Sequence, residues 1–346
     1  MLMEGYHSPQ VDVDVRLNTN ESPVGPPPEF ASQVAKAVRS MDWNRYPDRS
    51  AIGLRTAIAA LHNTNLERIF AANGSNEVLQ TLLLTYGGPD RCSAMFEPTY
   101  ALHSHLSRIT GTNVVQGERN PDFSLDLGEV ERVIDSNRPS IVFLCSPNNP
   151  TGLVDTRSEV ERVLELTSST GALLCVDEAY AQFSPWSALD MMGADVPLVV
   201  TRTYSKTWAM AGARLGYMVG PDWVVAEMEK VVMPYHLDSM TQIAGTLALD
   251  HLDAMQQRVG EIVSERDQLA AQLSRLPVHV WPSGSNFILF RPETTPGNDV
   301  WQALLDRSVL VRNCATWPRL EGCLRVTIGT AEENSLFLEA LTEVLA

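Results

Sequence analysis

Lysine is nearly missing from this chain. Among 346 residues only Lys36, Lys206 and Lys230 carry a side-chain primary amine, so any chemistry that needs one has three candidates. Cysteine is sparse as well: Cys92, Cys145, Cys175, Cys314 and Cys323 are odd in number and scattered. No disulfide framework or zinc spacing runs through them, and a reducing, cytoplasmic setting is expected. Positive charge is short overall, with 26 Lys and Arg against 42 Asp and Glu, a net charge of −16. Such a surface repels phosphate backbones and anionic headgroups, which argues against nucleic acid and acidic membranes as partners. A small anion stays open, because a few arginines in one cleft outweigh a negative average through short charge-assisted hydrogen bonds. No apolar run approaches the roughly 20 residues of a membrane helix, and the first residues, Met1-Leu2-Met3-Glu4-Gly5, lack the basic-then-apolar order of a leader. Glycine-rich nucleotide fingerprints, a P-loop, HExxH and internal repeats are absent too.

What is present reads as an α/β enzyme. A hydrophobic content of 44% over this length supports a large core, or two ordinary ones. Residues 1–28 form an arm rich in Pro and Asn, closed by Val24-Gly25-Pro26-Pro27-Pro28, and are expected to be irregular and to pack on a neighbouring element. Residues 29–245 alternate short β-branched runs with helical ones. Strands are expected at 92–96, 113–116, 140–145, 172–176, 198–202 and 215–219, buried on both faces of a mostly parallel sheet covered by helices. A capping box from Thr156 to Glu159 opens one of those helices. Residues 246–346 read as a smaller α/β domain led by a long helix near 254–275.

In such sheets ligands gather at the carboxyl ends of strands. Polar segments sit there: Ser146-Pro147-Asn148-Asn149-Pro150-Thr151-Gly152, then Asp177-Glu178-Ala179-Tyr180, then Thr203-Tyr204-Ser205-Lys206. Lys206 follows an apolar strand and precedes Ala209-Met210-Ala211-Gly212-Ala213, where close backbone approach strips water from an ammonium and makes it a Schiff-base nucleophile. The bland alternative is a surface lysine, which suits Lys36 and Lys230 on their charged helices. Asp177 either caps the next amides or holds a pyridine nitrogen protonated. Gly74-Ser75-Asn76 opens a helix with free amides, a phosphate site that is weak as a lone motif. Arg325, inside an apolar strand, needs an anion. His103-x-His105 lacks a third ligand and reads as helix surface, so no metal is expected.

Taken in order, these segments resemble the aspartate-aminotransferase-like, fold type I enzymes that use pyridoxal 5′-phosphate, and most nearly the histidinol-phosphate aminotransferases among them. The resemblance covers nearly the whole chain. It is carried by Leu17-Asn18-Thr19-Asn20-Glu21-Ser22-Pro23, Arg45-Tyr46-Pro47-Asp48, Asn73-Gly74-Ser75-Asn76-Glu77, Pro98-Thr99-Tyr100, residues 146–152, 176–180 and 201–206 with Arg214, and Cys323-Leu324-Arg325-Val326-Thr327-Ile328-Gly329. It implies that Lys206 forms the Schiff base and shuttles a proton, and that Asp177 pairs with the ring nitrogen. Asn149 and Tyr180 would bond the ring oxygen, and Tyr100 would stack on the ring. The phosphate would lie among Ser75, Asn76, Thr203, Ser205 and Arg214, with Tyr46 reaching in from a second subunit, hence a homodimer. Arg325 and Arg312 would receive substrate anions, and Asn20 would close over them. Ser22 departs from the aromatic or Asn of some members, a gap that Tyr6 would fill. Ordinary readings stand beside these: an ion pair for Arg214 and for the two arginines, packing for Tyr46 and Tyr100, a turn for Asn149.

The implied reaction passes an amino group from a small-molecule donor to a 2-oxo acid acceptor, with histidinol phosphate and 2-oxoglutarate as the pair. An aromatic amino-acid aminotransferase shares the cofactor residues, and a threonine-phosphate decarboxylase shares the fold but breaks a different bond. A regulatory module without turnover would carry a DNA-binding segment, for which this acidic chain has no spare domain.

Overall fold

The structure is a computed structural model and describes residues 11–346. Its larger sheet has seven strands in the order β2 (Ile69–Ala72), β8 (Gly216–Val219), β7 (Leu198–Thr203), β6 (Leu173–Asp177), β5 (Ile141–Cys145), β3 (Cys92–Glu97) and β4 (Asn113–Glu118). The five from β7 to β4 run parallel; β8 is antiparallel to both its neighbours. Every residue of β5, β6 and β7 is buried, as strands covered on both faces require. The mostly parallel sheet covered by helices that was read from the sequence is what the chain adopts, with the limits of the expected strands moved by one or two residues and with β2, which was not expected, added at the edge. The Arg157–Thr170 helix begins with the expected reciprocal cap between Thr156 and Glu159 and ends at Gly171, whose φ of 74° lets the chain turn back into β6.

The smaller sheet runs β1 (Val15–Leu17), β11 (Val309–Asn313), β12 (Leu324–Thr327), β10 (Phe287–Pro292) and β9 (Val278–Val280). Its edge strand is a departure from expectation, because β1 comes from the arm that was read as irregular. Val15 and Leu17 are buried with Arg16 pointing out, and the segment pairs in parallel with β11. Three residues between acidic and Asn-rich neighbours give too short an alternation to announce a strand.

The Ser239–Ala248 helix places Ala244 and Ala248 in the same apolar cluster as Leu54, Ile58 and Tyr217 of the large domain. A boundary drawn at 245/246 thus falls inside that helix. The Leu252–Leu273 helix that follows is shared: Met255 belongs to the large-domain cluster, while Ile262, Leu269 and Leu273 pack with Phe287 and Phe337, and Val259 touches both. One helix joins the two cores, and the cleft opens between the sheets it links. Among the described residues no helix is long and apolar enough to cross a membrane, and no cluster of three or more acidic, His or Cys side chains could hold a metal.

Candidate active site

The strand-end segments meet. A cleft of about 390 Å³ is walled by Asn20, Ser75, Asn76, Tyr100, Asn149, Asp177, Tyr180, Thr203, Ser205, Lys206, Arg214 and Arg325, every one of them anticipated. Asn18, Thr19, Glu21 and Cys145 complete the wall with Ala179, Ala211 and Gly212 and were not. Two other anticipated residues are placed elsewhere. Tyr46 is 80% exposed and stacks on Tyr235 at 4.5 Å, outside this cleft. Arg312 is buried opposite Arg325 on the neighbouring strand and does not line the wall. Tyr6 lies outside the described residues.

Asp177 ends β6, where the apolar strand holds its carboxylate at 1% exposure. It accepts from the Thr201 hydroxyl (3.3 Å) and the Ala179 amide (3.2 Å), and its other oxygen lies 3.0 Å from His103 Nε2. His103 corrects the sequence reading. It is fully buried, stacked 4.8 Å from Phe143, and buttresses Asp177 instead of facing solvent. The signal was the helical period: Leu102, His103, Leu106 and Ser107 form the inward face of the Leu102–Ile109 helix, whereas His103-x-His105 compared residues on diverging faces.

Lys206 Nζ donates to the Thr19 carbonyl at 3.1 Å and lies 5.7 Å from the centre of the Tyr180 ring. Burial, then the nearby Arg325 charge, lower its pKa to about 7, with an upward pull from Glu21 and a weaker lowering by Arg214. A neutral amine is therefore available near neutrality. Tyr180 accepts from Asn20 Nδ2 at 3.0 Å, and burial pushes its phenol upward, so it stays protonated and able to donate. Asn20 is itself pinned at φ 54°. Its amide donates to Thr327 Oγ1 (2.9 Å), its Oδ1 accepts from that hydroxyl (3.2 Å), and its carbonyl accepts from Asn286 (3.1 Å).

On the opposite side, Arg325 donates to Asn149 Oδ1 (2.6 Å) and the Asn18 carbonyl (3.0 Å). Its Nε is buried without a partner. At the end near Arg214, the Gly74–Tyr86 helix begins with no side chain capping it. Ser205 Oγ accepts from Thr203 (3.0 Å) and from Arg214 Nη1 (3.3 Å). A Cβ at Gly216 would stand 2.2 Å from the Ser75 nitrogen, and one at Gly74 would stand 2.6 Å from Arg214 Nη2. Bare backbone thus brings helix start, strand start and guanidinium together, the makings of an anion cradle.

The family model for aminotransferase class I and II matches residues 12–341, and the chain belongs to that family. Among curated proteins it is similar to the histidinol-phosphate aminotransferases of Streptomyces avermitilis, 42% identical over 98% of this chain and 93% of the relative, and of Corynebacterium efficiens, 40% identical over 98% and 92%. Its fold is that of the solved histidinol-phosphate aminotransferase of Sinorhizobium meliloti in complex with pyridoxal 5′-phosphate, with a TM-score of 0.87 at 22% identity over 96% of this chain and 91% of that one. The expectations of an aminotransferase, and of pyridoxal phosphate as its cofactor, are borne out.

Proposed function

We propose that this aminotransferase exchanges an amino group between histidinol phosphate and 2-oxoglutarate, a step in the formation of histidine when it runs with glutamate as donor and imidazole-acetol phosphate as acceptor. The observation that carries the reading is the placement of two buried arginines, Arg312 and Arg325, at facing positions of neighbouring strands beside the cleft, in a chain about 40% identical to histidinol-phosphate aminotransferases. A phosphate monoester asks for two cations where an α-carboxylate asks for one.

The residues present fit pyridoxal phosphate. Asp177 is a buried acid whose partners among the described residues include no arginine or lysine, which suits a protonated ring nitrogen. The glycine-lined cradle with Ser75, Asn76, Thr203, Ser205 and Arg214 suits a phosphate. Asn149 and Tyr180 would hold the ring oxygen, and Tyr100 would cover the ring face. When bound, the cofactor supplies an aldehyde for amines and an electron sink for the carbanion. Lys206 Nζ would then serve as general base and acid, taking the proton from the substrate α-carbon and delivering it to the carbon that the cofactor's aldehyde supplies. Arg325 and Arg312 orient the donor's anionic end, and Asn20, bonded to both Tyr180 and the smaller sheet, closes the cleft against water.

A homodimer belongs to the same reading. Trp43, Tyr46, Met233 and Tyr235 are large apolar side chains left open, and the Tyr46–Tyr235 stack joins the two segments that carry them. Covering that patch with a second copy would carry each Tyr46 to its partner's cradle. Five free cysteines fit a reducing cytoplasm. The test is to titrate the holoenzyme's visible absorbance with histidinol phosphate and with phenylalanine. Bleaching at far lower histidinol phosphate supports the reading. Preference for phenylalanine, or release of CO₂ without a 2-oxo acid, overturns it.

A further inference from the structure

Arg312 and Arg325 face each other directly across β11 and β12, and only 8% and 5% of their surfaces are exposed. Like charges in directly opposed cross-strand positions repel, so something other than chain geometry has to hold them together. The hydrogen bonds that Arg325 donates go to neutral oxygens of Asn149 and Asn18, which offset only part of that repulsion. What the two share is an aromatic face. The guanidinium carbons of Arg312 and Arg325 lie 5.6 and 5.9 Å from the Trp317 ring centre, and Arg325 also lies 5.0 Å from Phe287. These distances fall within the range where a ring quadrupole attracts a cation, and the attraction strengthens as water is removed.

Trp317 is well placed to serve as a fixed support. It sits in the loop between β11 and β12, donating its amide to the Cys314 carbonyl (3.0 Å) and accepting from the Leu320 amide (3.2 Å). The loop is closed by a bond from the Cys314 amide to the Cys323 carbonyl (3.0 Å). The ring packs on the small cluster of Phe123, Trp281, Leu289 and Leu320. Backbone and packing both fix the indole while leaving it half-buried next to the two cations.

We propose that Trp317 is a positioning residue for specificity: it holds Arg312 and Arg325 on one aromatic surface so that the pair acts as a single receptor for a dianion, the phosphate monoester of the amino donor. The inference rests on the substrate reading above, and it gives that reading a residue outside the cleft wall. A donor with a single carboxylate draws on Arg325 and needs the pairing less.

The test compares W317L and W317F holoenzymes with wild type. W317L should raise KM for histidinol phosphate about tenfold with kcat changed less than about threefold, and should weaken competitive inhibition by inorganic phosphate about tenfold while leaving inhibition by acetate within about twofold. W317F, which keeps an aromatic face, should return both values to within about threefold of wild type. In an R312L background, W317L should add less than about threefold, because there is no longer a pair of cations for the ring to hold together. Equal weakening of phosphate and acetate, an unchanged phosphate Ki, or a W317F as impaired as W317L overturns the proposal. Should W317L not fold, W317Q replaces it with the same expectations. A wild-type enzyme without preference for histidinol phosphate would defeat the substrate reading instead, and the phosphate and acetate constants would still decide the role of Trp317.

Discussion

On the large-sheet side of the cleft, the reactive groups stand at the ends of β6 and β7 and just beyond. Buried neighbours set their chemistry: Asp177 against His103, Thr201 and a backbone amide, and Lys206 in surroundings that bring its pKa to about 7. On the small-sheet side, Arg312 and Arg325 keep fixed charge and are held by aromatic rings, an amide oxygen and a carbonyl of the arm. The first side tunes proton affinity by burial. The second offers permanent cations to whatever anion arrives. On the proposed function, chemistry and recognition fall to different sheets, and substitutions on the two sides should fail in different ways.

The largest expected effect is on the chemical side. Lys206→Ala removes the only side-chain amine in the cleft wall among the described residues, and kcat should fall by about 10³ or more with the melting temperature within a few degrees of wild type. Residual turnover above that level would break the division. Arg325→Leu should instead appear mainly in KM for the donor, up about 30- to 100-fold from the loss of charge-assisted hydrogen bonds. A matching collapse of kcat would show that recognition and chemistry are not separable. Gly216→Ala drives a methyl into the Ser75 backbone and should weaken retention of pyridoxal phosphate about tenfold during gel filtration, at a stability cost of about 1–3 kcal/mol. His103→Phe keeps the stack on Phe143 but removes the contact with Asp177, and should lower kcat about tenfold with KM nearly constant.

The smallest effect sharpens the comparison most. In the cofactor-free protein, the rate at which Lys206 reacts with a small aldehyde should rise about tenfold between pH 6 and 8 and then level off, as a group with a pKa of about 7 loses its proton. An ordinary lysine, near 10.5, would keep rising tenfold per unit through that range without a plateau. Because Arg325 is second only to burial in lowering this pKa, Arg325→Leu should move the midpoint upward. An unmoved midpoint would mean that the two sides do not communicate through charge.

Much of this site was legible because strand-end polar residues follow apolar runs that announce themselves. Asp177 after Leu173-Leu174-Cys175-Val176 and Lys206 after β7 need no tertiary information beyond that rule. The rest depended on packing that no local pattern encodes. His103 took its meaning from a helix face and a neighbouring strand, and β1 from a partner nearly 300 positions away. Arg312 was expected to touch substrate and is buried opposite Arg325 on the neighbouring strand, next to the cleft wall instead of in it, with its guanidinium near the ring of Trp317 in a loop without regular structure. Tyr46 was expected at the cradle of a second subunit and in the single chain stands exposed beside Tyr235, a placement that no local pattern in one sequence encodes.

Asn20 fastens three bodies at one residue. Its side-chain nitrogen grips the Tyr180 phenol, its amide and side-chain oxygen clasp Thr327, and its carbonyl is held by Asn286. It works as a linchpin: sliding of the smaller sheet against the larger tugs on the phenolic oxygen, so Tyr180 is a natural gauge of how far the jaws have shut.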